Sequence, residues 1–377
     1  MELSYWEHTT WLSGIDVAII GSGIVGLSCA LALRKRFPDK KIVVFEKGML
    51  PSGASTKNAG FACFGSISEI LEDLTTHSEE EVIQLVKSRV EGLQLLRKNL
   101  GDAQLAYQQL GGYELFTEND TELFEKCIQN IPRINNLLKN VFYNEKEVFS
   151  IKNDSFSFKN VQKQLIFNQL EGQLDTGKMM QGLLQKCSKK GVLLLNNAEI
   201  TSFSAKNDGF SLKMNNSLEF SAKKVCIATN GFAKQFIEAD LQPARAQVLV
   251  TKPISNLHIK GTFHLDKGYY YFRNIHNRVL FGGGRNLDFK AEKTTALGLT
   301  PLVQNKLEEI LRTTILPNTP FEIDTRWSGI MGVGNKKKPI VKEVQPNLYC
   351  GVRLGGMGVA IGSAVGQQLA NLMVDND

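Results

Sequence analysis

The segment Gly21-Ser22-Gly23-Ile24-Val25-Gly26 has the residue types and spacing of a turn that cradles phosphate. A β-branched run, Asp16 to Ile20, precedes it, and an apolar stretch over 24–36 follows, closed by Pro38. The context is therefore strand, turn, helix. In that context Gly21 permits the tight turn, Gly23 lets the backbone approach a pyrophosphate, and Gly26 allows the helix to pack closely on the strand. The helix N-terminus at Ile24 adds N–H groups and the positive end of its dipole. A second buried strand, Ile42 to Phe45, ends at Glu46, twenty residues past Gly26. A carboxylate there accepts hydrogen bonds from a ribose diol and repels a 2′-phosphate.

Two further segments choose between dinucleotides. Gly53-Ala54-Ser55-Thr56-Lys57-Asn58-Ala59-Gly60 is small and polar and brings backbone near a ligand. At the far end of the chain, strand 347–351 leads through Gly355-Gly356-Met357-Gly358 into a helix over about 358–373. A second helix N-terminus suits a second anionic group, such as the N1–C2=O edge of a reduced flavin. A plain nicotinamide site has no use for it, so FAD is the expected dinucleotide.

The elements that must position these groups follow from periodicity. Residues 79–99, 176–189 and 301–312 read as helices. Residues 109–117, 164–168, 192–195, 224–228, 243–252, 269–273 and 279–283 read as strands, and 199–226 as a strand meander. Nucleotide-type units thus occur at the start, middle and end, with strand-rich material between. The expected class is α/β, or α+β in two domains: a Rossmann-like FAD-binding domain with a mainly antiparallel-sheet substrate domain threaded through it. The expected boundaries are 1–90, 165–240 and 322–377 for the first, and 91–164 and 241–321 for the second.

Composition narrows the function classes. The 33 glycines in 377 residues follow no collagen period, and 42% hydrophobic residues exclude a disordered chain. A net charge of +6 without an aromatic-laced basic stripe argues against nucleic acid. Lys336-Lys337-Lys338 reads as a solvated turn. Six scattered cysteines without a CxxC pair fit reduced thiols in a cytoplasm, and no metal site is expected. His258, His264 and His276 have no partners at a recognisable spacing and read as structural or surface. The uncharged stretches 17–33 and 354–374 are not expected to be integral membrane segments. The first is a phosphate loop. Gln367, Gln368 and Asn371 interrupt the second, although Gly358, Gly362 and Gly366 form a GxxxG ladder.

Taken in order, these blocks resemble the D-amino-acid oxidase/sarcosine oxidase superfamily, closest in look to γ-glutamylputrescine oxidase-like proteins. The likeness rests on Ser4-Tyr5-Trp6-Glu7, DVAIIGSGIVGLSCAL at 16–31, VVFEK at 43–47, GASTKNAG at 53–60 and KVCIATNG at 224–231. It continues through Arg245-Ala246-Gln247 with Thr251, the strand Arg278 to Gly284, and GVRLGGMGVAIGSAVGQ at 351–367. The resemblance implies non-covalent FAD and oxidation of a C–N bond in a small amine or amino acid. Hydride passes to flavin N5, giving an imine that water hydrolyses, with oxygen or a carrier as electron acceptor. It implies Gly21, Ser22, Gly23, Ile24 and Gly26 at the pyrophosphate, and Glu46 with Lys47 at the ribose. Ser55, Thr56, Lys57 and Asn58 then line pyrophosphate and flavin, Ile200 meets adenine, Gly231 follows the strand beneath the nucleotide, and Gly355, Gly356, Met357 and Gly358 face the pyrimidine end.

On the strand 269–273, alternation puts Tyr269, Tyr271 and Arg273 on one face and Tyr270 and Phe272 on the other. Tyr270, Tyr271 and Arg273 are substrate-site candidates, with a structural salt bridge as the other reading of Arg273. Trp327 and Met331 are expected to wall the flavin pocket. Arg353 either faces the substrate or caps its strand. Three departures matter. Residues 327–332 contain no flavin-attaching cysteine and no carboxylate-binding arginine, and 279–281 contain no oxygen-activating lysine. A dehydrogenase with another acceptor, and a flavoprotein with a binding or assembly role, remain alternatives.

Overall fold

The computed structural model describes residues 3–142 and 147–374. The run at the start of the chain forms the strand Ile15–Ile20, which lies at the centre of an eight-stranded sheet. Its neighbours are Ile42–Phe45 on one side and Leu218–Ile227 on the other, both parallel to it. Leu193–Leu195 extends the parallel set beyond Ile42–Phe45, and Leu348–Val352 extends it beyond Leu218–Ile227. Strands buried on both faces read as continuous apolar runs, which is why these were legible without alternation. Ile340–Gln345 closes one edge antiparallel. Gly209–Met214 pairs antiparallel with the first half of Leu218–Ile227, and Ile200–Lys206 pairs antiparallel with Gly209–Met214, forming the expected meander.

The helix Ile24–Arg36 covers this sheet and is itself covered by the last helix, Gly358–Val374. The GxxxG ladder makes that contact possible. A Cβ on Gly362 would stand 2.8 Å from Ile24 Cγ2, and one on Gly366 would stand 2.6 Å from the Val25 carbonyl oxygen. On another side, a Cβ on Gly92 of the helix Glu79–Leu100 would stand 2.3 Å from the Ala360 carbonyl oxygen. The ladder is thus a helix-packing surface within the fold. Among the described residues no helix is long and apolar enough to cross a membrane.

A second eight-stranded sheet contains, in spatial order, Ile323–Val333, Gln242–Thr251, Arg278–Gly283, Tyr270–Ile275, Thr262–Leu265, Gly112–Glu114, Gln164–Asn168 and Phe149–Asn153. It is antiparallel except where Thr262–Leu265 meets Gly112–Glu114. One face carries an aromatic core, with Phe263 and Phe272 stacked at 4.5 Å and Phe281 edge-on to Phe272. Two strands of this sheet depart from the expected division, one straddling the boundary at 164 and one lying in the segment 322–377 expected to bind FAD. Gln164–Asn168 and Ile323–Val333 belong to this second sheet, and the boundary at 90 falls inside the helix Glu79–Leu100.

The block Arg245-Ala246-Gln247 with Thr251 is structural. Buried Arg245 makes a two-point ion pair with Glu292, at 2.7 and 3.1 Å, and Gln247 donates to the same carboxylate at 2.9 Å. The Thr251 hydroxyl accepts the Val279 N–H. Glu292→Ala leaves a buried guanidinium unpaired and is expected to lower unfolding free energy by about 3–5 kcal/mol in a denaturant titration. Gly366→Val should lose about 1–3 kcal/mol or more by forcing two helices apart, read the same way.

Candidate FAD and substrate site

A single cavity of roughly 450 Å³ runs from the first glycine turn to the second sheet. At its nucleotide end, Gly21 turns with φ 107°, and a Cβ there would stand 2.9 Å from the Ala228 carbonyl oxygen. A Cβ on Gly26 would stand 2.0 Å from the Gly21 carbonyl oxygen, so only glycine lets the helix start this close to the strand. Glu46 is buried and fixes the turn as well as facing the cavity. Its carboxylate accepts from the Ser22 hydroxyl at 2.7 Å, the Gly48 N–H at 3.0 Å and the Ser52 hydroxyl at 3.0 Å. Lys47 lies over the Phe232 ring at 4.0 Å.

The segment 53–60 forms a short helix, Ala54–Lys57, laid against the first. The Ser55 hydroxyl accepts the Ile24 N–H at 3.0 Å. Asn58 ties the loop down: its amide donates to the Ser55 carbonyl, and its oxygen accepts from Gly60 N–H and the Thr176 hydroxyl. The last glycine turn faces the same cavity. Gly355 has φ 59°, and nothing lies within 4 Å of where a Cβ would stand on Gly355 or Gly356. Asn230 holds this turn by accepting the Arg353 N–H at 3.0 Å. Thr229 Oγ1 is buried on the cavity wall without a partner.

Most predicted residues meet at this cavity. Gly21, Ser22, Gly23, Ile24, Glu46, Lys47, Ser55, Lys57, Asn58, Ile200, Met331, Gly355, Gly356, Met357 and Gly358 line it, as do Tyr269 and Tyr271. Six sit behind the wall, each for a packing reason. Gly26 supports the turn. The Thr56 hydroxyl turns back to the Pro51 carbonyl at 2.6 Å. Gly231 packs on Met331, where a Cβ would stand 2.5 Å from the carbonyl oxygen. Tyr270, on the opposite face of its strand, lies in the aromatic core. Arg273 is buried and donates to the Ala59 and Leu174 carbonyls, so it joins the sheet to the 53–60 loop; burial pulls its guanidinium down to about 10. Trp327 donates its indole N–H to the Lys57 carbonyl at 2.9 Å and braces the same loop. Arg353 lines the cavity but is tied back to the protein. Its guanidinium pairs with Asp240 at 2.6 Å and donates to the Lys338 carbonyl, while the residue lines the cavity.

The end of the cavity at the second sheet contains residues that spacing alone did not single out. Phe61 and Cys63 continue the 53–60 loop, and Arg89, Glu69, His264 and Arg285 complete the wall. Arg89 is buried and donates to the Phe64 carbonyl at 2.6 Å, with its Nε unpartnered. It stands among Val82, Val86, Val90 and Leu93 at helical spacing, and a charge within an apolar stripe was the available signal. His264, expected to be structural or surface, is buried on the wall with Nε2 3.8 Å from Glu171 Oε2. Burial opposes its charge, but the Glu171, Glu69 and Glu114 carboxylates hold the imidazole above its ordinary value. Glu114, buried beneath, is pushed up to about 7 by burial, against hydrogen bonds from Ser66 and Ser68. Burial also pushes the Tyr271 phenol up to about 12, with the Arg285 charge opposing it.

The profile of the DAO family, described as FAD-dependent oxidoreductase, matches residues 16–372. The chain belongs to that family. It is 22% identical over 388 residues to a probable oxidoreductase, OrdL, of Haemophilus influenzae, covering 98% of this chain and 85% of that protein. Its fold is that of glycine oxidase from Geobacillus kaustophilus, with TM-score 0.75 at 18% identity over 96% of this chain and 95% of that one. It is equally that of L-proline dehydrogenase from P. horikoshii, with TM-score 0.74 at 18% identity over 97% and 95%. The family is FAD-dependent, and the cavity fits the group: a bare glycine turn at each end, a buried acid beside the first, and an orphaned hydroxyl between.

Gly23→Val places a branched side chain where even a Cβ would stand 2.9 Å from Ser55 Oγ, at the mouth of the helix N-terminus. FAD affinity should fall at least about tenfold, about 1.4 kcal/mol, read as flavin retained through gel filtration, while the far-ultraviolet circular dichroism stays unchanged.

Proposed function

We propose that the chain oxidises a C–N bond in a small amine or amino acid, giving an imine that water hydrolyses. One observation carries this reading: the nucleotide cradle and the tyrosine-bearing face of the second sheet open on one cavity. FAD bound there supplies the hydride acceptor at flavin N5. The protein's share is to hold the substrate carbon toward that acceptor and exclude water. A substrate bound as the neutral amine needs no obligatory acid–base pair.

Arg285 and Tyr271 favour a substrate carrying a carboxylate. Arg285 follows the triplet Gly282–Gly284, where Gly283 (φ 130°) and Gly284 (φ 78°) turn the chain. Its guanidinium lies 5.1 Å from the Phe289 ring centroid and 5.5 Å from that of Tyr269, and no acidic side chain among the described residues pairs with it. Two rings thus hold a cation in place without neutralising it. Gly282 makes room for the neighbouring phenol, since a Cβ there would stand 2.8 Å from the Tyr271 ring. A guanidinium beside a phenol suits a carboxylate.

Anaerobic mixing of the flavin-loaded enzyme with a panel of amino acids and amines tests the reading. At least one amino acid should bleach the flavin. Arg285→Gln should raise its half-saturating concentration about 10- to 100-fold, matching the loss of a charged hydrogen bond, and leave amines that lack a carboxylate unaffected. No bleaching by any compound would sink amine oxidation. Bleaching without peroxide on re-aeration would identify a dehydrogenase.

A further inference from the structure

We infer that Cys63, Glu171 and His264 form a binding site for one divalent metal ion of zinc-like preference, with its open position toward the substrate end of the cavity. The three residues come from separate parts of the chain: the loop after 53–60, the turn before Gly172, and the strand Thr262–Leu265. The fold brings Sγ, a carboxylate oxygen and a ring nitrogen within 4.8 Å of one another, all buried. Cys63 and His264 lie on the cavity wall, while Glu171 stands behind them.

The bonding of these groups is incomplete without a central atom. His264 Nε2 is buried and has no hydrogen-bond partner. Its nearest acidic atom, Glu171 Oε2, is 3.8 Å away, beyond hydrogen-bond reach. Cys63 Sγ has only weak contacts, at 3.5 Å to Thr262 Oγ1 and 4.0 Å to the Gly172 carbonyl. The other oxygen of Glu171 is occupied, accepting the Phe64 N–H at 2.8 Å, which fixes the carboxylate and leaves Oε2 for the centre. The Phe61 ring, edge-on to His264 at 5.3 Å, fixes the imidazole plane. Ligands oriented by such outer contacts are the pattern of a built metal site.

Geometry and charge both admit the ion. Tetrahedral zinc with ordinary bond lengths places its ligand atoms about 3.3–3.6 Å apart. The His264–Glu171 separation is close to that, and the widest separation closes by a side-chain rotation of about 1 Å. One ionised thiol and one carboxylate neutralise a divalent ion. Sulfur, nitrogen and oxygen together suit zinc better than magnesium or calcium, which take oxygen alone. Three protein ligands leave one position, and it faces the cavity, where a bound molecule or water can occupy it.

The test uses tag-free, flavin-loaded protein, and its readout is independent of amine turnover. Elemental analysis after incubation with zinc and desalting should give about one zinc per chain. Cys63→Ser and His264→Gln should each lose at least about nine-tenths of it, at unchanged FAD content. Cobalt loaded in place of zinc should give visible d–d bands beyond the flavin absorption and a thiolate charge-transfer band. The cobalt spectrum of the wild-type protein stands even where a variant fails to fold. Wild-type protein with zinc no higher than a protein-free control and no cobalt bands would overturn the proposal. Full zinc retention in folded Cys63→Ser and His264→Gln would overturn it equally.

Discussion

Everything in this molecule is arranged around how closely backbone approaches the helix Ile24–Arg36. At its start the helix leaves no room for a Cβ on Gly26, which would stand 2.0 Å from the Gly21 carbonyl oxygen. Along its outer face the last helix packs through Gly362 and Gly366, where a Cβ would stand 2.8 Å from Ile24 Cγ2 and 2.6 Å from the Val25 carbonyl oxygen, and through Ser363, hydrogen-bonded to Ser28. The first contact aims the helix N-terminus at the cavity. The second sets where Gly358–Val374 lies, and so where its own N-terminal turn, Gly355 to Gly358, meets the same cavity. Two anion-facing turns more than 330 residues apart are thereby registered by helix packing.

The loop 53–60 couples this nucleotide frame to the second sheet. It leans on the first helix through Ser55, and the second sheet grips it through Arg273 at Ala59 and Trp327 at Lys57. Those two side chains belong to strands of the tyrosine-bearing sheet, so the sheet is positioned relative to the cofactor by direct hydrogen bonds. Their polar atoms go to backbone carbonyls, at Ala59 and Leu174 for Arg273 and at Lys57 for Trp327, which is why neither lines the cavity. The rest of the cavity wall on that side is Tyr271, Tyr269, Arg285 and the buried group around His264.

The nucleotide half was legible in the sequence because its requirements are local. A turn that must admit a phosphate needs glycine at fixed offsets, and the strands Ile15–Ile20 and Ile42–Phe45 are continuous apolar runs. Alternation also sorted the strand Tyr270–Ile275 correctly, with Tyr270 and Phe272 in the core and Tyr271 on the cavity face. It did not reveal that Arg273, on the cavity side, is consumed by backbone carbonyls. The helices Ile67–Thr76 and Thr121–Leu138 and the long strand Ile323–Val333 were not legible. Pro132 lies within the second helix, and Gly329 and Gly332 within the strand, all against simple propensity. The substrate end escaped for a different reason. Cys63, Arg89, Glu171 and His264 are distant in sequence, and only the fold makes them neighbours.

The function proposed above requires one cavity to join an FAD cradle to a substrate wall on the second sheet. A crystal structure of the flavin-loaded protein tests it most directly. Pyrophosphate is expected at the Ile24 helix N-terminus, ribose at Glu46, and the isoalloxazine ring beside Asn58 and Met357 with one face toward Tyr271 and His264. A flavin bound with protein packed between its ring and that wall, or with its phosphates away from the first glycine turn, would contradict it.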